Sequence, residues 1–250
     1  MDVRKGEFIL HPQHVAAAAS LLSDSSRSIM LTNMLDGRFH TSGELARAAG
    51  ITPQTASFHI KKLEEAGFLD QTKQGRHRYY GLKDPAIAQV IESLLTITPP
   101  AQVSSFKQAT EDQAIRYART CYDHLAGSLG IQIAKALVDS GYITQDHDQF
   151  VLTVKGETFF SSFGIDVETA RRKRRSFSHC CLDWSERKHH LAGALGSEML
   201  ERFLELDWLR KKPESRALLL TETGRNGFAE VFGLDTSNIY KTHDNKVYLR

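Results

Sequence analysis

The stretch GELARAAGITPQTASFHIKKLEEAGFL occupies residues 43–69 and decides the fold of the first part of the chain. It predicts two helices joined by a short turn. Gly50 closes the first helix, because glycine readily adopts the left-handed conformation found at helix ends. Thr52 is a good N-cap for the second helix, and Pro53 follows at the first helical position, where its missing N–H costs nothing. Gly67 ends the second helix.

The second of these helices has two different faces. Ala56, Ile60 and Leu63 recur at helical spacing and are expected to face a core. The opposite face combines polar groups for base edges, an apolar group for a thymine methyl and a cation for phosphate. It consists of Gln54, Ser57, Phe58 and Lys61. This pattern is typical of a DNA-recognition helix.

The sequence on either side completes a known order of elements. HPQHVAAAASLL and SDSSRSIMLTNML predict two earlier helices, and FLDQTKQGRHRYYGL predicts two strands around a turn at Gly75. Helices followed by a basic hairpin indicate a winged helix-turn-helix. The candidate DNA-binding residues are Thr52, Gln54, Thr55, Ser57, Phe58, His59, Lys61, Lys62, Lys73, Arg76, His77 and Arg78. The alternative is a solvated helix face beside an incidental wing.

LSDSSRSIMLTNML, the opening stretch and QGRHRYYGL together resemble the DNA-binding domain of ArsR/SmtB-type transcriptional repressors, over about residues 20–95. The resemblance implies a homodimer on double-stranded operator DNA, released when an effector binds. It implies pairing through the first helix and the helix DPAIAQVIESLL after the wing. Many members carry a Cys-x-Cys cluster before the recognition helix or Asp and His ligands after the wing. GELARAAG has no Cys and DPAIAQVIESLL has no His, so neither metal site carries over, and Phe58 stands where many members have Arg.

The composition bounds the remaining possibilities. The chain has 250 residues, 41% of them hydrophobic, a formal net charge of +2 and three cysteines. This is ordinary globular composition, and so few cysteines suit a reducing cytoplasm. We expect no secretory signal and no membrane partner, because no apolar run is long enough. We also expect no enzyme, since we find no phosphate-binding loop, nucleophile elbow or metalloprotease motif.

The second half contains an internal repeat. HLAGSLG at 124–130 returns as HLAGALG at 190–196, followed by similar segments. We expect both heptapeptides to lie on helices that pack closely through small residues spaced i, i+4, namely Ala126 with Gly130 and Ala192 with Gly196. The predicted divisions are a winged-helix DNA-binding and dimerisation domain 1–97, a linker 98–112, and a duplicated domain 113–250 with repeats about 114–166 and 181–235. The predicted fold class is mainly α with small β-hairpins (α+β), the second domain being a tandem helix–hairpin–helix repeat.

Thiols and imidazoles cluster beside the heptapeptides. On a helix, Tyr117, Cys121 and His124 would share one face. The candidate effector-binding residues are Tyr117, Cys121, His124, Cys181, Trp184 and His190, and the candidate metal ligands among them are Cys121, His124, Cys181 and His190. Three interpretations stay open: buried residues without a ligand, a pocket for a small organic ligand, and a transition-metal or thiol-redox site.

The sequence thus predicts an ArsR-like repressor whose second domain senses an effector, with a small organic ligand favoured over a metal ion. One alternative is a metal- or redox-sensing regulator. Another is a winged-helix adaptor for proteins without DNA affinity. The basic run RRKRR at 171–175 is interpreted as a solvated loop between the repeats, with phosphate contact as the alternative.

Overall fold

Contacts divide the chain into two units in this computed structural model, which describes residues 12–98 and 105–236. Of the described residues, unit one holds 12–34 and 38–87, and unit two holds 35–37, 88–98 and 105–236. The boundary between the units therefore falls after residue 87, whereas the sequence predicted it after residue 97. The reason is visible in unit two, where the buried Glu92 carboxylate forms an ion pair with Arg216.

Unit one contains helices and one three-stranded antiparallel sheet with the strand order β1-β3-β2. Its elements are α1 Pro12–Leu22, α2 Ser25–Asn33, β1 His40–Thr41, α3 Ser42–Ala49, α4 Pro53–Glu65, β2 Leu69–Gln74 and β3 His77–Leu82. The wing is the β2–β3 hairpin, in register from Leu69 opposite Leu82 to Gln74 opposite His77. This is the predicted winged helix-turn-helix.

Local capping explains where α3 and α4 begin and end. Thr41 and Glu44 form a reciprocal capping box at the start of α3, and Gly50 ends that helix with φ +64°. The Thr52 hydroxyl accepts a hydrogen bond from the Thr55 N–H at the start of α4. The predicted core face is confirmed, because Ala56, Ile60 and Leu63 are all buried.

Helix α5 Pro85–Ile97 crosses from the first unit into the second. Unit two continues with α6 Phe106–Tyr117, β4 Arg119–Cys121, β5 His124–Ala126, α7 Ser128–Asp139, β6 Ile143–Asp146, β7 Gln149–Leu152, α8 Val154–Ser162, α9 Val167–Arg171, β8 His179–Leu182, β9 His189–Ala192, α10 Gly193–Glu205, β10 Leu209–Lys211, β11 Leu218–Leu220 and α11 Glu222–Phe232. The order hairpin, helix, hairpin, helix occurs twice, from β4 to α8 and from β8 to α11. The first hairpin of each copy, β4–β5 or β8–β9, is called its opening hairpin here. The copies predicted from the sequence began with a helix and lacked this hairpin. The origin of the two copies by duplication stays a prediction.

The opening hairpins correct the expectation for the two heptapeptides. His124 to Ala126 and His189 to Ala192 are strands, and the helices start only after them. Gly127 stands at this joint with φ +84° and ψ −174°, a conformation that is essentially restricted to glycine. The predicted helix-to-helix stripe of small residues is therefore wrong. The close contact is instead within each copy, where a Cβ on Gly130 would lie 2.7 Å from the Leu125 carbonyl oxygen.

The two copies pack on each other crosswise. Helix α7 packs against strand β9 of the second copy, and α10 packs against strand β5 of the first. The shared core includes Leu125, Leu191 and Phe203, with Trp208 stacked on Phe203 at 5.7 Å between ring centroids. This crossed packing brings the two opening hairpins together.

Part of the predicted linker 98–112, namely 99–104, lies outside the described residues. The last part of that prediction is wrong, since Ser105 caps helix α6 and residues 106–112 are helical. None of the described helices has the length and apolar character needed to cross a membrane.

Candidate metal centre and nucleic-acid interface

Four side chains that could bind a metal meet between the two opening hairpins. The Sγ atoms of Cys121 and Cys181 and one imidazole nitrogen each of His124 and His190 all lie within 4.8 Å of one another. The two sulfur atoms are 3.9 Å apart, and the two Nε2 atoms are 3.2 Å apart. All four residues are buried. The structure therefore brings together the four metal-ligand candidates that the sequence named.

The strand register explains this convergence. Cys121 lies directly opposite His124 across the β4–β5 pair, and Cys181 lies opposite His190 across the β8–β9 pair. Side chains alternate between the two faces of a strand, so Leu125 and Leu191 point away into the main core. Two residues after each histidine, Ala126 and Ala192 return to the cysteine side and form a small apolar cluster with Cys121 and Cys181.

A carboxylate lies behind each histidine. His124 Nδ1 is 3.4 Å from Asp123 Oδ1, and Asp123 is in turn paired with Arg175. His190 Nδ1 is 3.6 Å from Asp183 Oδ2 and makes no hydrogen bond to any described residue. Both rings thus direct Nε2 toward the donor cluster, which consists of Cys121, His124, Cys181 and His190, and Nδ1 toward a carboxylate. This is the arrangement that outer-shell carboxylates give to metal-binding histidines.

Asp183 is the more deeply buried of the two carboxylates. It accepts hydrogen bonds from Arg119 Nη2 at 2.9 Å and from the Gly127 N–H at 2.7 Å. Neither the Asp183 nor the Arg119 side chain has any exposed surface. Burial opposes its charge, but the Arg119 guanidinium outweighs that effect and lowers the pKa of Asp183 to about 2. The carboxylate is therefore ionised at neutral pH.

The pKa values of the two imidazoles are shifted in opposite directions. Burial acts to lower the pKa of His124, but the neighbouring Cys121 and Asp123 outweigh it and raise that pKa to about 9. Burial and the nearby His124 charge lower the pKa of His190 well below its usual value. In the absence of a metal ion, one proton shared between the two Nε2 atoms, 3.2 Å apart, agrees with this division. The Cys121 thiol, which contacts Cys181 and is buried, has a raised pKa.

The other two predicted effector residues lie outside this cluster. Trp184 belongs to the β8–β9 loop, and its ring stacks on the Arg119 guanidinium at 4.7 Å. Tyr117 ends helix α6, so the predicted single helical face for Tyr117, Cys121 and His124 is wrong. A separate open cavity of about 480 Å³ contains none of the six predicted effector residues and is lined by Glu157, Ser161, Gly164, Ile165, Asp166, Val167 and Glu168.

Sequence reasoning missed the residues that support the cluster. Asp123 and Asp183 follow the two cysteines at the same spacing, which was the available signal. No pattern in the sequence around Arg119 indicates that it is buried, because its burial depends on the distant loop that follows β8. In the basic run 171–175, Arg171 pairs with Glu157 and Lys173 with Glu198, while Arg175 pairs with Asp123. Three of its five side chains thus have partners within unit two.

The candidate DNA-binding residues of unit one are exposed, with one exception. Those on α4 and its cap are Thr52, Gln54, Thr55, Ser57, Phe58, Lys61 and Lys62, and those on the wing are Lys73, Arg76, His77 and Arg78. Phe58 is 55% exposed, and the Lys62 ammonium lies 4.5 Å from the centre of its ring.

His59 is the exception, and it corrects the predicted set. Its side chain is buried, and its Nδ1 is 3.4 Å from Arg27 Nη1. Its neighbours on the other side include Asp24, at 3.9 Å from Nε2. Because the ring points into unit one between α2 and α4, we do not include His59 among the proposed DNA contacts.

Comparison with known proteins places the chain in a family. A helix-turn-helix domain family matches residues 22–72. The HTH-type transcriptional regulator YdfF of Bacillus subtilis is 51% identical over 215 residues, covering 86% of this chain and 95% of that protein. The HTH-type transcriptional regulator YgaV of Escherichia coli is 28% identical over 35% of this chain and 89% of that protein. The solved structure of the repressor BigR from Xylella fastidiosa matches 36% of this chain and 92% of its own, at 26% identity and a TM-score of 0.33.

The match to YdfF extends over both units, well beyond the helix-turn-helix segment alone. The winged-helix regulator predicted from the sequence is confirmed. The chain belongs to the HTH-type transcriptional regulators, and its N-terminal sequence resembles the ArsR/SmtB-type members.

Proposed function

We propose that the protein is a transcriptional repressor that binds operator DNA as a homodimer and is released by an effector bound in unit two. Helix α4 enters the major groove, and the wing contacts phosphates or the minor groove. The observation that carries this proposal is the exposed face of α4, which presents Gln54, Ser57, Phe58 and Lys61 together. No catalytic role is proposed.

DNA binding is tested by gel-shift titration with the promoter region of the protein's own gene at several salt concentrations. We expect binding that weakens steeply with salt, because phosphate contacts release counterions. Lys61→Ala and Arg76→Ala should weaken binding to all sequences and reduce the salt slope by about 1 each. Gln54→Ala should instead reduce the preference for the promoter over unrelated DNA.

Lys135→Ala is the matched control, since Lys135 is an equally exposed lysine on α7 of unit two. It should leave both affinity and salt slope unchanged. Absence of binding at low salt would support the protein-adaptor alternative and overturn the repressor. An equal effect of Lys61→Ala and Lys135→Ala would contradict the assignment of the α4 face.

The nature of the effector is the second part of the proposal. The buried set of two sulfur and two nitrogen donors favours a metal ion over the small organic ligand that the sequence favoured. Organic ligands bind in cavities lined mostly by apolar side chains, whereas this cluster is compact and its donors contact one another. The dimer and the release mechanism follow from the family resemblance.

A further inference from the structure

We propose that Cys121, His124, Cys181 and His190 bind one Zn²⁺ ion that joins the two opening hairpins. This inference names the effector site of the proposed function and rests on it only for its regulatory meaning. Metal binding itself is argued from the geometry of unit two. The site differs from the positions that the family resemblance implied, because it draws no ligand from α3 or α5.

The sulfur–sulfur and nitrogen–nitrogen distances fit a tetrahedral ion, and all four donor atoms lie within 4.8 Å of one another. With bonds of about 2.3 Å to sulfur and about 2.0–2.1 Å to nitrogen, a tetrahedron separates the two sulfurs by about 3.8 Å and the two nitrogens by about 3.3 Å. The observed separations are 3.9 Å for Cys121 Sγ to Cys181 Sγ and 3.2 Å for His124 Nε2 to His190 Nε2. Each hairpin supplies one sulfur and one nitrogen, so the ion would cross-link the two copies.

The charges favour a divalent ion. Two thiolates and two neutral imidazoles around Zn²⁺ sum to zero, which suits a fully buried site. Monovalent copper on the same donors would leave one buried negative charge. The nearby carboxylates do not change this sum, because Asp123 is paired with Arg175 and Asp183 with Arg119.

The site is closed, and a carboxylate lies near each histidine on the side away from the other ligands. Four protein donors leave no open position for water or substrate, which is the character of a zinc site that holds structure rather than one that catalyses. Each histidine presents Nδ1 to a carboxylate at 3.4 or 3.6 Å. The unpartnered His190 Nδ1 can donate to Asp183 once Nε2 is bound to metal.

The test is metal analysis of the full chain, without DNA. Purified protein is stripped with a chelator, reloaded with Zn²⁺ and measured for zinc content, and Co²⁺ is titrated as a spectroscopic probe. We expect one zinc per chain and a cobalt spectrum with tetrahedral ligand-field bands and thiolate charge transfer. Cys121→Ser and His190→Gln should weaken zinc binding by more than the roughly 10–100-fold that loss of an outer-shell partner costs.

The chain provides matched controls on the same strands. Cys180→Ser removes the neighbouring thiol, which packs against the main core instead of the cluster. His189→Gln removes the neighbouring imidazole, which is exposed and contacts Gln145. Both variants should bind one zinc with unchanged affinity. Circular dichroism checks that each variant folds, and the wild-type cobalt spectrum tests the ligand set without any variant.

Three results would overturn the proposal. The first is wild-type protein that takes up no zinc when reduced. The second is equal zinc binding by Cys121→Ser and Cys180→Ser. The third is a cobalt spectrum without thiolate charge transfer. Because none of these assays contains DNA, failure of the zinc site is distinguishable from failure of the repressor proposal.

Discussion

At the scale of single residues, a substitution of Asp123 tests whether a carboxylate behind His124 strengthens metal binding, while all four proposed ligands stay unchanged. Its carboxylate lies 3.4 Å from His124 Nδ1 and is held by Arg175. Asp123→Asn keeps the shape but removes the charge that orients the ring and raises its basicity. We expect zinc affinity to fall about 10–100-fold, measured by competition with a fluorescent chelator.

The control is Asp146→Asn, because Asp146 and His147 form another pair of adjacent Asp and His residues. That pair is hydrogen-bonded at 2.7 Å but highly exposed and lies outside the cluster. Its substitution should leave zinc affinity unchanged. Equal affinities for the wild type and Asp123→Asn would show that the carboxylate has no outer-shell role.

The Arg119–Asp183 ion pair gives a stability prediction at the same scale. Arg119→Met leaves the Asp183 carboxylate charged and buried without its cation, which costs about 3–5 kcal/mol of unfolding free energy. Lys135→Met breaks the exposed Lys135–Asp139 pair and should cost less than about 1 kcal/mol. Urea denaturation of the two variants measures both values, and similar losses would contradict the assigned difference in burial.

At the scale of elements, the joint between hairpin and helix is the decisive feature of unit two. A Cβ on Gly127 would lie 2.7 Å from the Arg116 carbonyl oxygen and 2.8 Å from that of Tyr117. Gly127→Ala therefore combines a glycine-only backbone conformation with a clash against backbone atoms. We expect a loss of unfolding free energy well above the ~1–2 kcal/mol of left-handed strain alone.

Gly141→Ala isolates the contribution of strain. Gly141 has φ +70°, but a Cβ there would meet no atom within 4 Å. This variant should lose only about 1–2 kcal/mol in the same denaturation assay. If both substitutions cost the same, the close approach at Gly127 does not contribute to the stability of the joint.

At the scale of the whole molecule, the proposed zinc site contacts a segment that lies, in sequence, within the winged-helix region. The Tyr122 N–H, between ligands Cys121 and His124, donates to the Leu35 carbonyl at 2.7 Å. Residues 35–37 belong to unit two, yet in sequence they lie between α2 and α3. An ion bound at the proposed site would fix the hairpin turn and, through this hydrogen bond, would also constrain residues 35–37.

We expect Zn²⁺ to weaken promoter binding by the wild type about 5–150-fold, the usual range of coupling between two sites. Gel-shift titrations with and without zinc measure this ratio. Cys121→Ser should bind DNA equally in both conditions, and Cys180→Ser should respond like the wild type. Zinc binding without any change in DNA affinity would make the ion structural and contradict its role as the effector.

The sequence by itself determined the winged helix, because that unit is specified by local signals. Thr41, Gly50 and Thr52 cap or end its helices through interactions with residues a few positions away. The helical period of Ala56, Ile60 and Leu63 is sufficient to indicate the buried face of α4. The two cysteines and two histidines are also recognisable as ligand candidates from the repeat alone.

Only the tertiary structure decided how the two copies of the repeat fold and pack. Strands of three or four residues are too short to show a period, so HLAG with its small residues suggests a helix although it is a strand followed by a glycine joint. His59 likewise lies among the predicted DNA contacts in sequence, but its packing against Arg27 buries it. Cys121 and Cys181 are 60 residues apart, and His124 and His190 are 66 apart. Their meeting depends on the crossed packing of two hairpins and two helices, which no local pattern encodes.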